Sequence, residues 1–135
     1  MRALIVEDDF SSMYVLQTLI SRFGSYDVAI NGLEAIKLFK VAFDDGRRYD
    51  LICLDINMPE MNGQEVLKRM REIDTFYGFE GSDRTKIVMV TAYDNYDNLS
   101  IAFEEQCDAF LVKPIAIEKF DQTLINLSLK RLVND

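Results

Sequence analysis

Four places in the sequence carry groups able to do chemistry, and each closes or follows a short apolar run. Glu7-Asp8-Asp9 follows Leu4-Ile5-Val6. Asp55 closes Leu51-Ile52-Cys53-Leu54. Thr91 follows Ile87-Val88-Met89-Val90, and Lys113-Pro114 follows Phe110-Leu111-Val112. Carboxylates crowded together repel, and their pKa values rise. A hard divalent cation offsets that repulsion. Mg²⁺ takes oxygen ligands, keeps several waters, and uses one or two carboxylates plus a phosphate oxygen. A carboxylate beside it can act as nucleophile and form an aspartyl phosphate. The hydroxyl of Thr91 and the ammonium of Lys113 can bind the remaining phosphoryl oxygens. Such a transfer rests on positioning and charge stabilisation.

Taken singly, each piece has an ordinary reading. Three acids in a row make a solvated loop or a helix cap. Asp55 can cap a strand end, Thr91 can be a common strand threonine, and lysines are usually exposed. The argument therefore depends on the elements that carry them.

The apolar runs are Ala3–Val6, Asp27–Ile30, Leu51–Leu54, Ile87–Val90 and Ala109–Val112. Three are near-continuous in apolar residues, as strands buried on both faces of a parallel sheet are. Helical stripes lie between them: Met13, Leu16, Ile20 and Phe23; Val66, Met70 and Ile73; Ile117, Phe120, Leu124 and Leu127. Ser11 or Ser12 is placed to cap the first helix and Asn62 the third. The second helix is expected from Gly32 or Leu33 to about Phe43, and a fourth from about Tyr96 to Gln106. Asp44–Tyr49 and Thr75–Arg84 read as exposed loops, the second longer than a usual connection. The pattern is (βα)₅, an α/β fold with a doubly wound parallel sheet. Sites in such sheets form at the carboxyl ends of the strands. All four chemical positions fall there, which random placement would not produce.

The 135 residues suit one domain, 1–135. A net charge of −8 argues against nucleic acid as a partner and favours cations or a basic surface. Cys53 and Cys107 are far apart, with no histidine to complete a zinc site, and read as reduced core thiols. The apolar start is too short for a signal peptide and no run is long enough to cross a bilayer, so a cytoplasmic protein without membrane insertion is expected.

The stretches LIVEDD (4–9), LICLDINMPEMNG (51–63), IVMVTA (87–92) and CDAFLVKPI (107–115) resemble the receiver family of two-component response regulators, especially its single-domain chemotaxis type. The resemblance spans nearly the whole chain. It implies a flavodoxin-like sheet in the order 2-1-3-4-5 and a Mg²⁺ cofactor for which Mn²⁺ can substitute. It implies Asp55 as phosphoacceptor, Asp8 as direct metal ligand, Glu7 acting on the metal through water, and the Asn57 main-chain oxygen as a further ligand. Asp9 matches a position with no required role. Thr91 and Lys113 match the groups that read the phosphoryl oxygens. Thr91 and Phe110 match the conformational switch, and Pro114 a cis Lys113–Pro114 bond. In that family, side chains at the positions matched by Asn57 and Tyr93 tune the phosphate's lifetime, so the resemblance implies that Tyr93→Ala speeds its loss. Asn62-Gly63 stands as the family has it, with Gly63 lending turn freedom.

The implied function is phosphorelay signalling. A partner histidine kinase or phosphotransfer protein supplies the phosphoryl group, since this chain has no histidine. The chain then switches and binds a downstream protein through the fourth helix, fifth strand and last helix. It ends shortly after the last helix, so it signals by binding another protein or belongs to a longer chain. It is expected to be a switch rather than a turnover enzyme. A Mg²⁺ phosphohydrolase needs a second acid two residues past the nucleophile, where Asn57 stands. A phosphorylation-independent interaction module is the alternative. A flavin-binding protein fits less well, because acids after the first strand repel a phosphate.

Overall fold

The three most apolar runs become the three central strands. In the computed structural model, which describes residues 1–56, 63–92 and 106–132, β1 (Arg2–Val6), β2 (Ser25–Ala29), β3 (Leu51–Asp55), β4 (Lys86–Ala92) and β5 (Ala109–Lys113) form one parallel sheet in the order β2-β1-β3-β4-β5. β1, β3 and β4 thus have a strand on either side and helices above and below. β2 and β5 sit at the edges and are only partly buried.

Among the described residues the α-helices are α1 (Phe10–Ile20), α2 (Gly32–Asp44), α3 (Gly63–Phe76) and α4 (Ile117–Asn126). Strand side chains alternate between faces. Ala3, Ile5, Leu51, Cys53, Val88 and Val90 meet α1 and α4 on one face. Leu4, Val6, Ile52, Leu54, Ile87 and Met89 meet α2 and α3 on the other. Helices thus cover both faces. Both thiols are free and buried, and burial pushes Cys53 up to about 12 and Cys107 to about 11.

Several boundaries differ from the expectation. β2 starts at Ser25, because β1 pairs Arg2 with Ser25 and Val6 with Ala29. Ile30 leaves the sheet and stands exposed, and Asn31 caps α2 by accepting the Glu34 amide at 2.8 Å. α1 is capped by Asp9, whose carboxylate accepts the Ser12 amide at 2.8 Å. Ser11 and Ser12 therefore lie inside the first turn. Of the stretch Asp44–Tyr49, Asp44 belongs to α2. Tyr49 is 1% exposed, its hydroxyl donating to Asp27 at 2.7 Å under the Arg2 guanidinium. α3 takes in Thr75 and Phe76. The chain then turns through Gly78 and Gly81, both at positive φ where glycine is favoured, and Tyr77 stacks on Phe43. Phe120 and Leu124 are buried, whereas Ile117 is exposed and Leu127 lies just past the end of α4. Asn62 and nearly all of the fourth helical segment lie outside the described residues.

Candidate functional site

β1, β3, β4 and β5 run parallel and adjacent, so their carboxyl ends share one rim. Glu7 and Asp8 follow β1, Asp55 ends β3, and Lys113 ends β5. Thr91 lies within β4, opposite Val112, with Ala92 opposite Lys113. The rim therefore brings together Glu7, Asp8, Asp55, Thr91 and Lys113. Asn57 and Tyr93 lie outside the described residues.

Lys113 is the link across the site. Its Nζ donates to Glu7 Oε2 at 3.0 Å and lies 3.5 Å from Asp55 Oδ2. Glu7 has no exposed surface and Asp55 is 5% exposed, whereas Asp8 faces solvent. The other oxygen of Glu7 accepts the Asp9 amide at 3.1 Å. Burial raises the Glu7 carboxyl to about 7, as does the hydrogen bond it shares with Asp55; the hydrogen bond from Lys113 pulls the other way. Burial acts to lower Lys113, but its bond to Glu7 and the charges of Asp55 and Glu7 outweigh it, and its pKa is raised.

One oxygen from each of Glu7, Asp8 and Asp55 falls within 4.8 Å of the others. These are hard oxygen donors, two of them buried, with one ammonium against three carboxylates. That set suits a hard divalent cation of the Mg²⁺ type. Thr91 is fully buried, its hydroxyl donating to the Ala92 carbonyl at 3.3 Å. Phe110 is half-buried and packs against the α2–α3 core. The Lys113–Pro114 bond is cis. A Cβ at Gly63 would lie 2.9 Å from Ile56 Cα, so glycine there allows close approach to the residue that follows the acceptor strand.

Beside Lys113 lies a cleft of about 370 Å³ lined by Ser11, Ser12, Val15, Lys113, Pro114 and Ile115. Phe10 (81% exposed) and Tyr14 (69%) stand on the same helix, α1. The sequence reading did not single out this surface. Large apolar residues off the Met13–Leu16–Ile20 stripe were its signal.

The sheet order and its two helical layers define the flavodoxin-like class of α/β proteins. Residues 3–125 match the response regulator receiver domain, and the chain belongs to that family, the receivers of two-component phosphorelay systems. Two-component response regulator 24 of Arabidopsis thaliana is 35% identical over 127 residues, covering 93% of this chain and 83% of that protein. The sensory/regulatory protein RpfC of Xanthomonas campestris pv. campestris is 30% identical over 128 residues; the match covers 95% of this chain but only 16% of that protein. Among solved structures, the receiver domain of the histidine kinase CKI1 from Arabidopsis thaliana, complexed with Mg²⁺ and BeF₃⁻, matches with a TM-score of 0.78 at 25% identity. It covers 94% of this chain and 89% of that one.

Proposed function

We propose that this receiver accepts a phosphoryl group on Asp55 from a phosphohistidine of a partner kinase or phosphotransfer protein. The observation that carries this reading is the lysine bridge: Lys113 Nζ reaches both Glu7 and Asp55 on a rim that also holds Asp8 and Thr91.

An Asp55 carboxylate oxygen attacks phosphorus. An O–P bond forms as the N–P bond to the donor imidazole breaks, and the imidazole leaves with the bonding pair. Lys113 offers its charge to one phosphoryl oxygen, shifting it from the carboxylates it now holds. Thr91 turns its hydroxyl from the Ala92 carbonyl toward another. Glu7, buried and bonded to Lys113 at 3.0 Å, holds the ammonium beside Asp55 until the phosphoryl group arrives. Glu7, Asp8, Asp55 and the Asn57 carbonyl would hold Mg²⁺, which when bound neutralises charge on the phosphoryl oxygens. The similar receiver of CKI1 was crystallised with Mg²⁺ and a beryllofluoride group, which supports this assignment.

The donor docks on the exposed α1 face of Phe10, Tyr14 and Val15, beside the cleft at Lys113 and Pro114. Movement of Thr91 toward the phosphate frees space for Phe110 to turn inward. That shifts the population toward a state with a different surface around the fourth helical segment, β5 and α4, where the downstream protein binds. The protein acts as a switch and not as a turnover enzyme, and works in the cytoplasm. No helix among the described residues is long and apolar enough to cross a membrane.

The test is intact-protein mass spectrometry after incubation with acetyl phosphate and Mg²⁺. One phosphate adduct is expected, absent in Asp55→Asn and absent without metal. No adduct in the wild type, with beryllofluoride also without effect, would replace this reading by a phosphorylation-independent interaction module.

A further inference from the structure

A second charge cluster lies at the amino ends of β4 and β5, the far end of the sheet from Asp55, and the chemistry above does not use it. Arg71 of α3 stands at its centre. Its Nη1 donates to Asp74 at 3.0 Å and to the Thr85 carbonyl at 2.6 Å. Its Nη2 donates to Asp108 at 2.8 Å, and its Nε to the Gln106 carbonyl at 2.6 Å. Arg84 donates to the other Asp108 oxygen at 3.1 Å. Asp74 is 1% exposed and also accepts the Thr85 hydroxyl at 2.9 Å. Asp108 accepts the Ile87 amide at 2.8 Å.

The placement of these contacts matters more than their strength. Thr85 immediately precedes β4, and Asp108 immediately precedes β5. Thr91 stands near the far end of the first strand, and Lys113 at the far end of the second. The distances are about 20 and 17 Å at the usual rise per residue. β5 is an edge strand, hydrogen-bonded to β4 on one side only. Its ladder cannot fix its position as that of a central strand does. The planar guanidinium, bonded to four acceptors, ties the start of β5 to the start of β4 and the body of α3. β1 and β3, which carry Glu7, Asp8 and Asp55, receive none of these side-chain contacts.

We propose that Arg71 is a positioning residue for the phosphoryl-oxygen half of the site. Acting through Thr85 and Asp108, it sets where β4 and β5 begin and therefore where Thr91 and Lys113 end. This rests on the reading of Asp55 as the acceptor. It divides the site in two. The acidic half stands on β1 and β3, which Arg71 does not contact, whereas the Thr91–Lys113 half stands on the two strands whose starts it holds.

The division gives a readout that a merely structural role does not move. In Arg71→Met, folding is checked by NMR amide dispersion. The rate of phosphorylation by acetyl phosphate at saturating Mg²⁺ is then expected to fall about tenfold, the lower end of what losing an outer positioning partner costs. The Mg²⁺ midpoint, followed by amide shifts without phosphate donor, is expected not to weaken. Asp108→Asn, which keeps the side chain's shape, is expected to show the same split to a smaller degree, and serves as the test if Arg71→Met does not stay folded. A folded variant phosphorylated as fast as wild type overturns the proposal. So does a parallel loss of rate and Mg²⁺ affinity, which would mean general loosening. A wild type that takes no phosphate overturns the acceptor reading and this proposal with it, whereas equal rates in wild type and variant overturn this proposal alone.

Discussion

The two ends of the sheet each collect charges, and they solve the problem in opposite ways. At the amino end, Arg71 and Arg84 face Asp74 and Asp108, and the pairs are closed by backbone carbonyls and amides. At the carboxyl end, one lysine faces Glu7, Asp8 and Asp55. The first cluster is balanced and its groups are spent on one another. The second is left negative, and Glu7 lies well above the usual carboxylate range because burial and its neighbour disfavour its charge. Balance holds strands together, whereas imbalance leaves a place that can gain from an incoming cation.

The contrast is broken most sharply at the balanced end. Arg71→Ala leaves Asp74 buried without its guanidinium, a loss on the order of 3–5 kcal/mol for a buried pair with one partner removed. Chemical denaturation with urea measures it. A change below about 1 kcal/mol would mean that the cluster is no more than a surface ion pair. At the unbalanced end the large effect comes from adding charge. Mg²⁺ at a hundredfold excess over its dissociation constant is expected to stabilise the fold by about 2.7 kcal/mol, seen as a rise in melting temperature. Asp8→Ala should abolish that rise. A rise that survives the substitution would place the cation elsewhere.

The sequence disclosed the two ends unequally. The carboxyl-end site was legible because its residues close apolar runs, and a parallel sheet brings such ends to one rim. Asp8, Asp55, Thr91 and Lys113 needed only strand order to meet. The Arg71 cluster joins a helix to two loops, through the carbonyls of Thr85 and Gln106, and carbonyls leave no mark in a sequence. Its one signal was Asp74, a carboxylate next to Ile73 on the apolar stripe of α3, three residues from Arg71. Tyr49 was hidden for a similar reason. In a run of charged loop residues it reads as exposed, yet it packs under Arg2 and bonds to Asp27 on an edge strand. The β2 boundary was misread because Ile30 is apolar but lies past the last pair with β1.

Removing a charge from the unbalanced end should stabilise the chelated protein. Asp55→Asn relieves repulsion among the acids at the cost of its charged contact with Lys113, which keeps its bond to Glu7, while the asparagine amide can still hydrogen-bond to Glu7. A gain of about 1 kcal/mol is expected, the size of one close charge pair in a high dielectric. The gain should vanish when Mg²⁺ is added, because the wild type then recovers what the variant cannot use. A destabilised variant in chelator would show that the lysine bridge outweighs the repulsion and that the end is balanced after all.

The smallest effect tests whether balance governs single carboxylates too. Asp27 accepts from the Tyr49 hydroxyl and from Arg2, and these bonds hold its carboxyl below the usual value of 3.8. A folded-state pKa below the unfolded one means that the proton binds the unfolded chain more tightly. The stability from this contact is therefore present above pH 3.8 and lost as the pH falls through the lower, folded value. Asp27→Asn should flatten that part of the stability curve and leave the neutral region parallel to wild type. An acid limb of unchanged slope would show that Arg2 and Tyr49 gain nothing from the charge on Asp27. The balanced pattern would then belong to the Arg71 cluster and not to the amino half of the sheet as a whole.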